Sequence, residues 1–304
     1  MPRKKRGSLP PPRLPATPRN DPYLLDEFSH QDLRTWKRSS ELLNEYRVKQ
    51  FYELESLREL HKPELSEALR KHGQVDISVD GWARIVNFQY SSEPLSTTGS
   101  LLHGGRFNIG KDLDPSRFPP FPALYIAERY ETAYAERFGS PPVGSGLQPH
   151  ELALRDSKSF LNVALTGHVN GLFDLRDKKQ LRDFCSIIAK FQMGQELRLL
   201  AKRLGMRGPL LVGTPKDLHS SLLGNWRDMP VQYNLPSNSQ VFARFLQQAG
   251  YEGVLYPSTR GNGLCVALFP NQLSGSDTHV ELADKAPPEV SVTRLDSVTS
   301  TTLY

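Results

Sequence analysis

The chain has 304 residues, 38% of them hydrophobic and 23% charged, which suits one large folded domain or two small ones with polar ends. No apolar run reaches membrane-spanning length, and the basic N-terminus leads into prolines instead of an apolar segment, so neither a membrane span nor a secretory signal is expected. Cys185 and Cys265 are too few for a disulfide framework and lack metal-ligand spacing, so a reducing cytoplasm and no metal centre are expected.

The formal net charge of +5 is unevenly spread. Residues 1–20 hold Arg3, Lys4, Lys5, Arg6, Arg13 and Arg19 and no acid, so the remainder is close to neutral. That argues against a nucleic-acid-binding face on the folded part. Residues 1–22 also carry seven prolines, and such an arm buries too little apolar surface to order itself. Its Arg-Lys-Lys-Arg run reads as a solubilising tail, the alternative being contact with nucleic acid, a membrane surface or an acidic partner.

Residues 23–78 form a helical extension by pattern. Leu33, Trp36, Leu43, Tyr46, Leu54, Leu57 and Leu60 recur at roughly helical spacing, and Pro63 can open a second helix that stops at Gly73. Packing onto the main domain is the expected use of this stripe, with self-association or a partner site as the alternative. Near residue 80 the pattern changes, and Trp82–Val86 alternates like a strand with Arg84 between apolar neighbours. Residues 91–103 read as a Ser/Thr-rich loop.

Gly105 to Asp112 nearly matches the phosphate loop G-x4-G-K-[ST], but Asp112 offers no hydroxyl for magnesium and no buried strand precedes it, so a nucleotide triphosphate loop is rejected. No G-x-G-x-x-G follows a strand, which removes a Rossmann reading. A proline-rich loop at 111–122 leads to a short strand, Ala123–Ala127, carrying Tyr125. A helix then runs to Gly139, with Glu136 about 60° from Ala133 at the margin of its apolar stripe.

Ser159–Leu165 is the best strand in 150–175. Residues 178–204 read as one long helix with Phe184, Ile187, Ile188, Phe191, Leu197, Leu200 and Leu204 inward, and Cys185 as a core filler. Leu210–Val212 is a candidate strand, and Ser239–Gln248 a helix stopped by Gly250. Glu252–Ser258 leads to a turn with Arg260, Gly261 and Gly263, and Leu264–Phe269 should be a central strand. His279–Leu282 and Val290–Leu295 are candidate edge strands, and 297–304 a frayed, disordered tail. Strands and helices interleaved without a βαβ rhythm point to an α+β domain.

Arg106, Tyr125, Glu136 and Ser258 form a kit for cutting a nicotinamide–ribose bond. A carboxylate near the anomeric carbon stabilises oxocarbenium character on the ribose. Arginine grips diphosphate oxygens better than lysine, an aromatic ring stacks on a flat heterocycle, and a serine hydroxyl positions a ribose or phosphate oxygen. Arg84, Asn108 and Arg260 are further candidates for contact with the substrate. Each residue also has an ordinary role: Arg106 can brace its turn, Tyr125 can be a core tyrosine, and Ser258 can cap the turn after its strand.

Gly105–Asn108 (GRFN), Ala123–Ala127 (ALYIA), Glu131–Glu136 (ETAYAE) and Gly250–Arg260 (GYEGVLYPSTR) together resemble the signature of the RES domain family, named for its arginine, glutamate and serine. Trp82–Ile85 resembles its opening strand, and the resemblance spans roughly residues 80–296, so a RES domain is expected over 79–296. It implies a mixed-sheet fold related to ADP-ribosyltransferase toxins. It also implies NAD+ as a substrate consumed by hydrolysis, phosphorolysis or ADP-ribose transfer, with no separate cofactor. Members are commonly toxins of toxin–antitoxin pairs, neutralised by a cognate antitoxin. The family's arginine, tyrosine, glutamate and serine map onto Arg106, Tyr125, Glu136 and Ser258. The 111–122 loop lengthens the gap between arginine and tyrosine, and the first 80 residues lie outside the family pattern. The leading expectation is an NAD+ glycohydrolase or phosphorylase acting as a toxin. The alternatives are an ADP-ribosyltransferase acting on protein and a non-catalytic interaction protein using the arm and helical extension. Acceptor, antitoxin and any homo-oligomer are left open.

Overall fold

The computed structural model describes residues 30–139 and 160–304. The expected arm at 1–22 lies outside the described residues. The chain divides into two compact units, one formed by residues up to Leu57 with Gln192–Leu210, the other by Arg58–Phe191 with Leu211–Tyr304. This division does not follow the expected boundary at 78/79, because the second helix of the extension belongs to the larger unit.

In the smaller unit, helix α1 (His30–Leu60) contributes its residues up to Leu57. Thirty-one residues at about 1.5 Å each make a helix roughly 46 Å long, and the 192–210 segment belongs to the same unit. The buried face is Tyr46, Gln50 and Phe51. Trp36 is 70% exposed and Leu43 is exposed too, so among the described residues the expected stripe is not covered along its whole length. Tyr46 Oη accepts from the Leu210 N–H and Gln50 Nε2 donates to the Leu210 carbonyl, which fastens Leu210 as irregular backbone where a strand was expected.

The larger unit adds α2 (Lys62–Arg70), then β1 (Val75–Asn87), α3 (Thr98–His103), β2 (Leu124–Ala127), α4 (Tyr130–Phe138) and β3 (Phe160–Asp174). Pro63 does sit in the first turn of α2. The short helix α3 falls inside the segment expected to be all loop. The long helix expected over 178–204 is broken into α5 (Arg182–Ile188) and α6 (Gln195–Arg203). Gly194 is extended at the start of α6, which belongs to the smaller unit, and its N–H is held by Glu53 Oε2; Phe191 in the larger unit and Met193 in the smaller are each buried.

Two further helices were not anticipated: α7 (Pro215–Leu223) and α8 (Asp228–Tyr233). The start of α7 was encoded, since Thr214 accepts from the Asp217 N–H and Pro215 occupies the first turn. Helix α9 (Asn238–Gln248) then precedes β4 (Gly253–Pro257), β5 (Leu264–Leu268), β6 (His279–Leu282) and β7 (Arg294–Leu295).

The architecture is α+β, and among the described residues the sheet is mixed and seven-stranded in the order β1-β2-β5-β4-β3-β6-β7. All pairings are antiparallel except β3 with β4. The long strand β3 also pairs with β1 from Asn87↔Phe160 to Val75↔Leu172, so the ladder returns on itself. β5 is central, between β2 and β4, and is buried along nearly its whole length, as its unbroken apolar run predicts. Leu124, Ile126, Val163, Leu165, Val169, Leu255, Val266 and Leu268 meet in the core.

The C-terminal tail corrects the expectation of fraying. Residues Ser300–Thr302 form a 3-10 turn, Leu303 is buried, and its carbonyl accepts from the N–H and Oγ1 of Thr97. An apolar side chain with a paired carbonyl next to it holds the end down. No helix of the described residues is long and apolar enough to cross a membrane.

Candidate active site

The turn bearing Arg106 is closed by a Gly105–Asn108 bridge and gripped from outside by Gln240. Gln240 completes a capping box at the start of α9: its amide oxygen accepts from the Ser237 N–H, and its own N–H donates to Ser237 Oγ. Its amide nitrogen remains free to donate to the carbonyls of Gly105 and Asn108, both at 3.0 Å. One buried side chain therefore starts a helix and fixes the arginine turn. Phe107 is fully buried within the same turn and meets Tyr256 edge-on, ring centroids 4.9 Å apart.

Arg106 is itself buried. Its Nη1 donates to the carbonyls of Leu222 (3.3 Å) and Gly224 (2.6 Å) at the end of α7, and its Nη2 donates to Thr259 Oγ1 at 2.8 Å. A cation there satisfies terminal carbonyls and complements the negative end of the helix dipole. Arg106 therefore does not brace its own turn, the ordinary role expected for it, but ties that turn to the end of α7 and to Thr259, which leaves Nε and one Nη2 proton without a partner among the described residues.

Glu136 lies half-buried on α4, and the turn after β4 lies against the same helix. Thr132 Oγ1 donates to the Asn262 carbonyl, and a Cβ on Gly261 would stand 3.0 Å from that of Ala135. Small residues on both sides permit this approach. It delivers Ser258 Oγ to Glu136 Oε1 at 2.7 Å and the Thr259 N–H to the same oxygen at 2.7 Å, with Thr259 Oγ1 at 3.4 Å. Ser258 also shapes its turn, accepting from the N–H groups of Gly261 (2.9 Å) and Arg260 (3.3 Å). Turn capping and carboxylate binding are performed by one hydroxyl. Glu136 Oε2 accepts no hydrogen bond from the described residues.

The other expected residues fall differently. Tyr125 Oη accepts from the Phe107 N–H and donates to Asn108 Oδ1, both at 2.9 Å. Burial pushes this phenol well above its ordinary value, with the Phe107 N–H and Arg106 pulling the other way. The hydroxyl is spent on the loop, so only the half-buried ring remains to meet a ligand.

Asn108 is a correction: it is fully buried, and its Nδ2 donates to the carbonyls of Ser100 and Phe121, so it braces the loop and cannot touch a substrate here. Arg84 is half-buried: its Nη2 donates to the Ser96 carbonyl (2.7 Å) and its Nη1 to the Tyr125 carbonyl (3.4 Å), its Nε has no partner among the described residues, and burial, then the nearby Arg137, pull its guanidinium down to about 10. Arg260 stays exposed on the serine turn.

Sequence reasoning missed Thr259 and Arg227. Thr259 adjoins Ser258 and needed only the turn's geometry to be recognised. Arg227 follows the Gly224 carbonyl that Arg106 holds, and its guanidinium carbon lies 4.7 Å from the Trp226 ring centroid. Partial desolvation, then Arg260, Arg106 and Arg137, lower its proton affinity, and Glu136 opposes them. One carboxylate thus stands among several guanidinium groups. Such a site suits a ligand with anionic groups at one end and a developing cation at the other.

No curated protein matches the chain. The crystal structure of the M. tuberculosis MbcT–MbcA toxin–antitoxin complex is similar at 16% identity and a TM-score of 0.39, over 79% of this chain and 96% of that one. The family model of the RES domain matches residues 82–288, from the strand of Arg84 past the serine turn, and by that match the chain belongs to the RES domain family.

Proposed function

We propose that the protein consumes NAD+ by breaking the bond between nicotinamide and ribose. The observation that carries this reading is the fixing of one Glu136 oxygen by Ser258 and Thr259, with the other oxygen uncommitted and arginines around it. As the C1′–N bond breaks, its electron pair goes to the pyridinium nitrogen, nicotinamide leaves neutral, and positive charge builds on the ribose. A preoriented carboxylate stabilises that charge. The acceptor oxygen then bonds to C1′; a water acceptor passes its proton to the Glu136 carboxylate and from there to solvent, while a phosphate oxyanion bonds directly.

Arg106, with Arg227 and Arg260, supplies positive charge for the diphosphate. The Tyr125 ring offers a surface for the nicotinamide end. Ser258 holds the carboxylate on its ribose side. NAD+ is the substrate and no further cofactor is required. Membership of the RES family supports a toxin role in the cytoplasm, with a cognate antitoxin covering this site. Co-purification with the product of a neighbouring gene tests that partner.

The decisive experiment is nicotinamide release from NAD+ by purified protein and by Glu136→Gln. The variant should lose at least roughly a hundredfold in rate, the scale for removing a group that stabilises transition-state charge. Undiminished release would refute the role of Glu136. Mass spectrometry of the products with and without phosphate distinguishes water from phosphate as acceptor. ADP-ribose left on protein would instead make the chain a transferase.

A further inference from the structure

Thr259 was not expected from the sequence, yet it touches two residues that were. Its N–H donates to Glu136 Oε1 at 2.7 Å, and its Oγ1 accepts from Arg106 Nη2 at 2.8 Å while standing 3.4 Å from the same carboxylate oxygen. A threonine hydroxyl has one proton and two lone pairs. Arg106 can only donate, and an ionised carboxylate can only accept. The hydroxyl can therefore serve both at once, with a lone pair toward Arg106 and its proton toward Glu136.

Arg106 is fixed on its other side by the carbonyls of Leu222 and Gly224. Glu136 is fixed by α4 and by Ser258. The contacts thus run from the end of α7 through Arg106, Thr259 and Glu136 into α4. Among the described residues, Thr259 is where the guanidinium side of the site is hydrogen-bonded to the carboxylate side.

We propose that Thr259 is a positioning residue, whose hydroxyl sets the Arg106 guanidinium and the Glu136 carboxylate in a fixed relation before the ligand arrives. This role rests on the NAD+-cleaving reading above. Losing the hydroxyl leaves Glu136 with its bonds from Ser258 and the Thr259 N–H, so the site is still assembled. What is lost is the register between the diphosphate-holding end and the charge-stabilising end, on which near-attack geometry depends. Thr259 is exposed, so its replacement disturbs no apolar packing, and Arg106 keeps its bonds to the carbonyls of Leu222 and Gly224.

The test compares wild type, Thr259→Val and Thr259→Ser for nicotinamide release, ADP-ribose affinity by calorimetry and melting temperature. Thr259→Val keeps the shape and removes the hydroxyl. It should lower kcat about tenfold with KM, ADP-ribose affinity and melting temperature nearly unchanged, since an interaction realised at the reacting geometry appears in kcat. Thr259→Ser should restore kcat. The proposal is overturned if Thr259→Val matches wild type, if serine fails to rescue, or if the whole effect falls on KM or on melting. Wild-type protein that leaves NAD+ intact overturns the cleavage reading and this role with it, whereas active wild type with an equally active valine variant overturns this role alone.

Discussion

Ser258 Oγ donates to Glu136 Oε1 at 2.7 Å although 122 residues separate them, and the same serine oxygen accepts from the Gly261 N–H at 2.9 Å. The hydroxyl is therefore oriented by its own turn before it meets the carboxylate. Ser258→Ala should lower nicotinamide release by roughly 10- to 100-fold, less than Glu136→Gln, because the Thr259 N–H still holds the carboxylate. Melting temperature should change little, as the pair is only half-buried. A Ser258→Ala enzyme with wild-type kcat would show that the backbone bond alone is sufficient.

Gly105 tests the arginine turn. A Cβ there would meet Tyr125 Oη and Asn108 Oδ1, landing on the hydrogen bond that joins them. Gly105→Ala should destabilise the protein by about 2–3 kcal/mol in urea unfolding, combining overpacking with a broken buried hydrogen bond. Gly99, in helix α3 with no atom near its own Cβ position, is the control. There alanine should be neutral or stabilise by about 0.5–1 kcal/mol, the usual helix preference over glycine.

What the sequence displayed well was whatever depends on local periodicity or local chemistry. The unbroken apolar run of Leu264–Leu268 marked the central strand, and the glycine-rich stretch after Ser258 marked its turn. Ser258 and Glu136 stood out as candidates because their residue types and motif neighbours were visible, and the fold brings them into hydrogen-bond contact. Whether Arg106 and Asn108 contact a ligand was not visible, because it depends on which backbone carbonyls the fold brings to them. Asn108 is occupied by Ser100 and Phe121, and Arg106 by the end of α7, a helix opened by Thr214 and Pro215 far along the chain from Arg106. The break at Gly194 was hidden for a related reason: apolar spacing continues on both sides of it, and only the placement of Phe191 and Met193 reveals the turn.

Both thiols should be silent in the folded protein. Cys185 and Cys265 are buried, and burial pushes each up to about 12. A thiol reagent at pH 8 should label neither in native protein and both after guanidinium unfolding, since the reactive species is the exposed thiolate. The pH dependence follows. In the unfolded chain these thiols ionise near the ordinary value of 9.0, so their contribution to stability is complete below that pH and is lost as pH rises from 9 toward 12. Unfolding midpoints that stay flat across that window would contradict the assignment.

The two ends of the chain should respond differently to truncation. Leu303 is buried, and its carbonyl takes the N–H and hydroxyl of Thr97, while the adjacent Ser96 carbonyl takes Arg84. Leu303→Ala should cost about 2–4 kcal/mol, the range for truncating a buried leucine. Ending the chain at Thr302 should cost more, because the buried Thr97 N–H then also lacks its acceptor. Both variants should retain wild-type kcat well below their lowered melting temperatures, since Leu303 acts on the scaffold of Arg84 and not on Glu136. Deleting residues 1–22 should leave nicotinamide release unchanged, because the proposed chemistry needs only residues from Arg106 onward. Loss of NAD+ turnover on removing the arm, with melting temperature intact, would mean that the basic segment takes part in the reaction and that the site as assigned is incomplete.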